Sequence, residues 1–112
     1  MLIEEKSFQF SLSIIKLVKD LKSNKEFIFA DQLLRSSTSI GANVAEAGAR
    51  QSKKDFISKM AIASKEARET RYWLKLIKEA NLSQLELSEY LNEIDQIIRI
   101  LTKIVKTSQK EI

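Results

Sequence analysis

The sequence predicts an all-α fold: an antiparallel up-down bundle of four helices over residues 7–23, 27–47, 53–80 and 84–109, forming a single domain across 1–112. Three observations point there. The 112 residues contain no proline and two glycines, so the usual punctuation of β-turns and linkers is nearly missing. Apolar residues recur at steps of three and four, the period of a helix face and not of a strand. Capping residues mark junctions between these periodic stretches.

The first helix carries Phe10, Ile14, Leu17, Val18 and Leu21 on one side, and its apolar surface continues round through Phe8, Leu12 and Ile15. Little of it is left for water. A polar junction follows at 23–26. The second helix has two stripes: Leu33, Ser37, Ile40, Val44 and Ala47, then the smaller Leu34, Thr38, Gly41 and Ala45, which suit close backbone approach. The hydroxyl run Ser36-Ser37-Thr38-Ser39 would also suit a turn, but both stripes stay in phase across it. Gly48 is expected to end this helix in the left-handed C′ conformation, with Ser52-Lys53-Lys54-Asp55 as a capping box for the next. The third helix places Phe56, Met60, Ala63, Ala67, Thr70, Leu74 and Ile77 on its core face; Trp73 flanks that stripe and is expected to pack. Asn81 reads as its stop, and Ser83-Gln84-Leu85-Glu86 as a second capping box with a Leu82/Leu87 staple. The fourth helix runs Leu87, Tyr90, Ile94, Ile97, Leu101 and Ile104.

Several chemistries lack their residues. Without cysteine or histidine there is no disulfide, thiolate metal site or imidazole base. Glu86, Glu89 and Glu93 share a face but lack the histidines of a di-iron bundle, and two glycines cannot build a phosphate loop or dinucleotide fingerprint. The expectation is a non-enzyme without cofactor or metal. Met1-Leu2-Ile3-Glu4-Glu5-Lys6 does not read as a signal peptide, and no apolar run reaches spanning length, so the expected location is the cytoplasm, away from membrane.

The net charge of +4 is unevenly spread. Residues 1–49 hold six bases and six acids, 50–80 hold nine and four, and 81–112 hold four and five. Within the basic middle, Arg50, Lys53 and Lys54 open the third helix, and Arg68, Arg71, Lys75 and Lys78 step along it with Tyr72 among them. Such a face suits a nucleic-acid backbone, with a ring available to a base. The competing reading is a solvated face paired with Glu66, Glu69 and Glu79, with Tyr72 in a subunit contact. On the second helix Arg35, Asn43 and Glu46 are expected to pair and to select the neighbouring helix. The apolar excess of the first two helices points to a homo-oligomer.

Three runs carry a family resemblance: Leu33-Leu34-Arg35-Ser36-Ser37-Thr38-Ser39-Ile40-Gly41-Ala42-Asn43-Val44-Ala45-Glu46-Ala47, Gln51-Ser52-Lys53-Lys54-Asp55-Phe56-Ile57-Ser58-Lys59, and Ala67-Arg68-Glu69-Thr70-Arg71-Tyr72-Trp73-Leu74. With them the chain, from about Phe8 to Lys106, resembles the bacterial four-helix bundle family named after proteins encoded in intervening sequences of 23S ribosomal RNA genes. The resemblance implies a ring-like homopentamer with a basic surface and no enzymatic activity. The family in turn resembles the accessory protein of diversity-generating retroelements, a partner of reverse transcriptase. That likeness implies nucleic acid, or an enzyme acting on it, as a partner. Many members have proline where Gly41 stands, which implies a softer bend of the second helix here.

Overall fold

The computed structural model describes residues 1–49 and 51–111. Four α-helices account for most of them: α1 (Leu2–Ser23), α2 (Phe27–Gly48), α3 (Lys53–Glu79) and α4 (Ser88–Lys110). Each helix packs on the next and α4 returns to α1, while no diagonal pair meets among the described residues. The bundle is therefore square in section, 47 × 20 × 20 Å, and its α1/α2 side lies opposite its α3/α4 side.

The core follows the predicted stripes. Ile14, Leu17, Leu21, Leu33, Ile40, Met60, Leu74, Ile77, Ile94, Ile97 and Leu101 are fully buried, and Ala63 and Ala67 give α3 a narrow waist. At about 1.5–3 kcal/mol for each large side chain removed from water, this core outweighs the end signals, which contribute about 1 kcal/mol each. Ser36 and Ser37 are buried in phase with Leu33 and Ile40, which keeps the run helical, and the hydroxyls of Ser36, Ser37 and Thr38 are satisfied by the α2 carbonyls of Leu33 at 3.4 Å and Leu34 at 3.3 and 2.7 Å.

Three end assignments need correction. α1 starts at Leu2, not residue 7: Ile3 and Ser7 are buried and extend the stripe backward, and Glu4 and Glu5 sit in the first turn, where the helix dipole favours acids. Gly48 is not left-handed, since no glycine has positive φ; α2 ends instead through Ala49 at φ −97°. Among the described residues the left-handed positions are Lys25 (φ 63°) and Asn81 (φ 55°). Both close Schellman motifs: Glu26 N–H reaches Leu21 O at 2.8 Å, and Leu82 N–H reaches Ile77 O at 3.1 Å. Ser52 does cap α3, accepting from Asp55 N–H at 3.0 Å. The Ser83–Glu86 box, however, does not open α4, which begins at Ser88. Ser83 Oγ accepts from Leu85 N–H at 3.0 Å and donates to Asp20 Oδ2 at 2.5 Å, anchoring the loop to α1. With its hydroxyl used inside the loop, Ser83 leaves the end of α4 to Glu86, which accepts from Ser88 N–H at 3.1 Å.

Candidate functional site

The basic residues of α3 sort by what each one touches. Arg68 and Arg71 turn toward α4: Arg68 Nη2 donates to Thr102 Oγ1 at 3.0 Å, and Arg71 Nε donates to Asp95 Oδ1 at 2.7 Å. Lys75 and Lys78 continue this edge and are exposed. Lys78 lies close enough to Glu86 to help hold that carboxyl below its ordinary value, after the larger effect of hydrogen bonds from the Ser88 hydroxyl and amide. Lys53 is spent on Glu111, just past the end of α4, at 2.5 Å, Lys54 is exposed, and Arg50 lies outside the described residues. The predicted stripe is thus an edge shared with α4, not the outermost line of α3.

Two of the three acids expected to neutralise it are engaged elsewhere. Glu66 and Glu69 turn to α2, where Glu66 Oε2 is 3.1 Å from Arg35 Nη1 and Glu69 engages the other guanidinium nitrogen. Glu46 of α2 pairs with Lys59 of α3 at 2.9 Å, which keeps that ammonium above its ordinary range, first through the hydrogen bond and then through charge. Arg35 and Glu46 therefore join α2 to α3, whereas Asn43 donates to Ser39 O at 2.9 Å within its own helix. Trp73 also faces α2: its ring meets Phe29 edge-on at 6.2 Å and its N–H donates to Glu69 at 3.2 Å. Tyr72 is 61% exposed, with its ring edge-on to Trp73 at 5.4 Å.

Beyond Arg68 the α3/α4 edge opens into a groove of about 590 Å³. Its walls are Arg68 and the α4 residues Ile98, Arg99, Thr102, Lys103, Lys106, Thr107 and Lys110. Arg99, Lys103, Lys106 and Lys110 are all exposed, and among the described residues none has an ion pair. Glu111, the acid next along the chain, is held by Lys53. Among the described residues, five cations thus line one groove without a carboxylate.

The α4 half of this site escaped the sequence reading because charge was summed over 81–112. Four acids, Glu86, Glu89, Glu93 and Asp95, precede Arg99, and the four bases follow at steps of four, three and four. Splitting α4 at residue 98 would have revealed a basic stripe.

On the opposite side, α1 and α2 frame a groove of about 600 Å³ between Phe8 and the small residues Thr38, Gly41, Ala42 and Ala45. Phe8 is 59% and Leu12 49% exposed. Among the described residues no group of acids could hold a metal ion, and no helix is long and apolar enough to cross a membrane.

The geometry has a close counterpart among solved structures. A crystal structure of a protein of unknown function from the S23 ribosomal protein family of Bacteroides thetaiotaomicron superposes with a TM-score of 0.86 at 42% identity, covering 93% of this chain and 98% of that one. Among curated proteins no relative matches. The family model for the 23S rRNA-intervening sequence protein matches residues 1–103. With nearly the whole chain matched and the four helices shared, the protein belongs to the 23S rRNA-intervening sequence protein family.

Proposed function

We propose that this protein is a non-catalytic, self-associating helical bundle that binds nucleic acid through the basic groove between α3 and α4. The observation that carries the reading is the set of five cations, Arg68, Arg99, Lys103, Lys106 and Lys110, gathered in one groove with no carboxylate among its described walls. Exposed ion pairs contribute little to folding, and unpaired like charges on one face oppose it, so folding gives no reason for this arrangement. A phosphate backbone does. Self-association is supported by the exposed apolar side chains of α1 beside the small-residue stripe of α2. The family resemblance suggests five copies. Assembly through α1/α2 leaves the α3/α4 groove of every copy open to a ligand. With neither imidazole nor thiol in the chain, the usual activating base and the most reactive side-chain nucleophile are both missing.

Fluorescence anisotropy titrations with structured RNA and with DNA, from low to physiological salt, test the reading. Binding that weakens steeply with salt, and disappears when Lys103, Lys106 and Lys110 are changed together to Gln, is the expected result. No binding at low salt would sink it. The rival reading is a protein-binding scaffold with a solvated basic face, favoured by the exposed Phe27 (54%) and Ile28 (75%) at the start of α2. It predicts that capture of a protein partner survives the triple substitution.

A further inference from the structure

Among the described residues, the α3/α4 groove is lined by cations and hydroxyls with no aromatic ring, and its apolar wall is the aliphatic Ile98. Tyr72, the exposed ring of α3, is not among its walls. Proteins that hold single strands combine a basic track with rings on which unpaired bases stack, because that stacking supplies much of the affinity. A double helix hides its base faces and offers phosphates and sugars instead. We infer that the preferred ligand of this groove is a double-helical segment of nucleic acid gripped by its backbone, a conclusion that rests on the nucleic-acid reading above.

Charge density supports the same choice. Arg99 to Lys110 spans about 16 Å at roughly 1.5 Å per residue, and Arg68 reaches the same groove from α3. A duplex presents a phosphate every 1.7 Å or so of its axis, against about 3.4 Å for one strand. Over the length of this stripe the duplex therefore offers about twice the negative charge. The cations are carried on packed helices, so the bundle fixes the spacing at which their side chains start along the groove. Contacts of this kind read backbone and shape, and discriminate little by sequence.

The test uses the full-length protein and four probes of equal length: duplex RNA, duplex DNA, and non-pairing single strands of each, titrated at several salt concentrations. Either duplex is expected to bind at least about tenfold tighter than its single strand. If all five cations meet phosphates, the log–log salt slope is about −4 to −5. Lys103→Gln/Lys106→Gln should lose most duplex binding with unchanged helix content, and Tyr72→Ala should lose none. Comparing the two duplexes shows whether the groove favours A-form or B-form geometry. Equal or tighter binding of single strands, or a clear loss with Tyr72→Ala, overturns the duplex assignment while leaving nucleic-acid binding standing. Failure to bind any of the four at low salt overturns both.

Discussion

Ser36 of α2 and Thr70 of α3 meet hydroxyl to hydroxyl at 2.9 Å, both with no exposure to solvent. Each also has a carbonyl on its own helix within reach, Leu33 O at 3.4 Å for Ser36 and Glu66 O at 2.9 Å for Thr70. The pair is the polar centre of an otherwise apolar layer, and among the described residues no buried side-chain polar atom lacks a partner. Removing one hydroxyl leaves the other with its weaker local bond, whereas removing both leaves an apolar contact of similar shape. Thr70→Val and Ser36→Ala are each expected to cost about 1–2 kcal/mol in urea unfolding, and the double variant less than the sum. Strict additivity would show that the two hydroxyls do not interact.

Lys25 occupies a left-handed position that a glycine fills at no steric cost. The conformation is imposed by the Schellman closure onto Leu21, and for an L side chain it costs about 1–2 kcal/mol. Part of that gain is offset by glycine's extra freedom in the unfolded chain. Lys25→Gly should therefore stabilise by about 0.5–1 kcal/mol, seen as a Tm a few degrees higher. A lower Tm would mean that the Lys25 side chain makes a compensating contact.

The core faces were legible because burial imposes a period, and every predicted residue from Phe10 to Leu21 on the main α1 stripe is buried. The α3 start was legible because Ser52 is a cap in sequence and in space. Ends decided by tertiary contacts were not: Ser83 and Glu86 have the spacing of a capping box, but the hydroxyl is drawn to Asp20, 63 positions away. Nothing local announces that Lys25, and not Gly48, takes the positive φ. The basic edge was half legible. The α3 bases stand out from a basic segment, whereas Arg99 to Lys110 are cancelled in any count that includes the acids at the front of the same helix. That Arg68 lies in the same groove as those bases depends on how α3 and α4 are packed, which neither helix encodes alone.

Stability should have an alkaline limb with identifiable owners. Burial, followed by the charges of Glu89 and Asp20, raises the Tyr90 phenol above its ordinary 10.0, and Glu46 raises Lys59 above 10.5. In both cases the folded state favours the protonated form. Their contribution is fully present below pH 10 or so and is lost as pH rises through the folded values. Glu86, lowered from its ordinary 4.5, works in the opposite direction: its contribution is present above that value and is lost as pH falls. Urea midpoints across pH should form a plateau between these limits, with a gentler alkaline fall in Tyr90→Phe/Lys59→Met and a gentler acid fall in Glu86→Gln. An unchanged alkaline limb in the double variant would assign it to other groups.

The α1/α2 side gives the self-association reading its sharpest test. Phe8 is 59% exposed at the edge of a groove whose other wall is Thr38, Gly41, Ala42 and Ala45. Gly41 itself has room, since an added Cβ would stand 3.6 Å from Ser11 Oγ, an ordinary contact. If this side is covered by another copy, a charge placed there is desolvated and the assembly breaks. If it faces water, the same charge changes little, because exposed substitutions shift stability by only about 0.5 kcal/mol. Phe8→Lys and Ala42→Glu should therefore each reduce the mass measured by light scattering toward that of one chain, with helix content and Tm of the monomer preserved. Ile28→Lys, equally drastic but at the opposite end of α2, should leave the mass unchanged. The groove cations lie across the bundle from these positions, so each dissociated copy should retain its binding site. Apparent affinity should still fall, because several linked sites acting on one duplex bind more tightly than one alone. If Phe8→Lys and Ala42→Glu assemble as the parent does, α1/α2 is not the contact and the exposed apolar residues of α1 need another explanation.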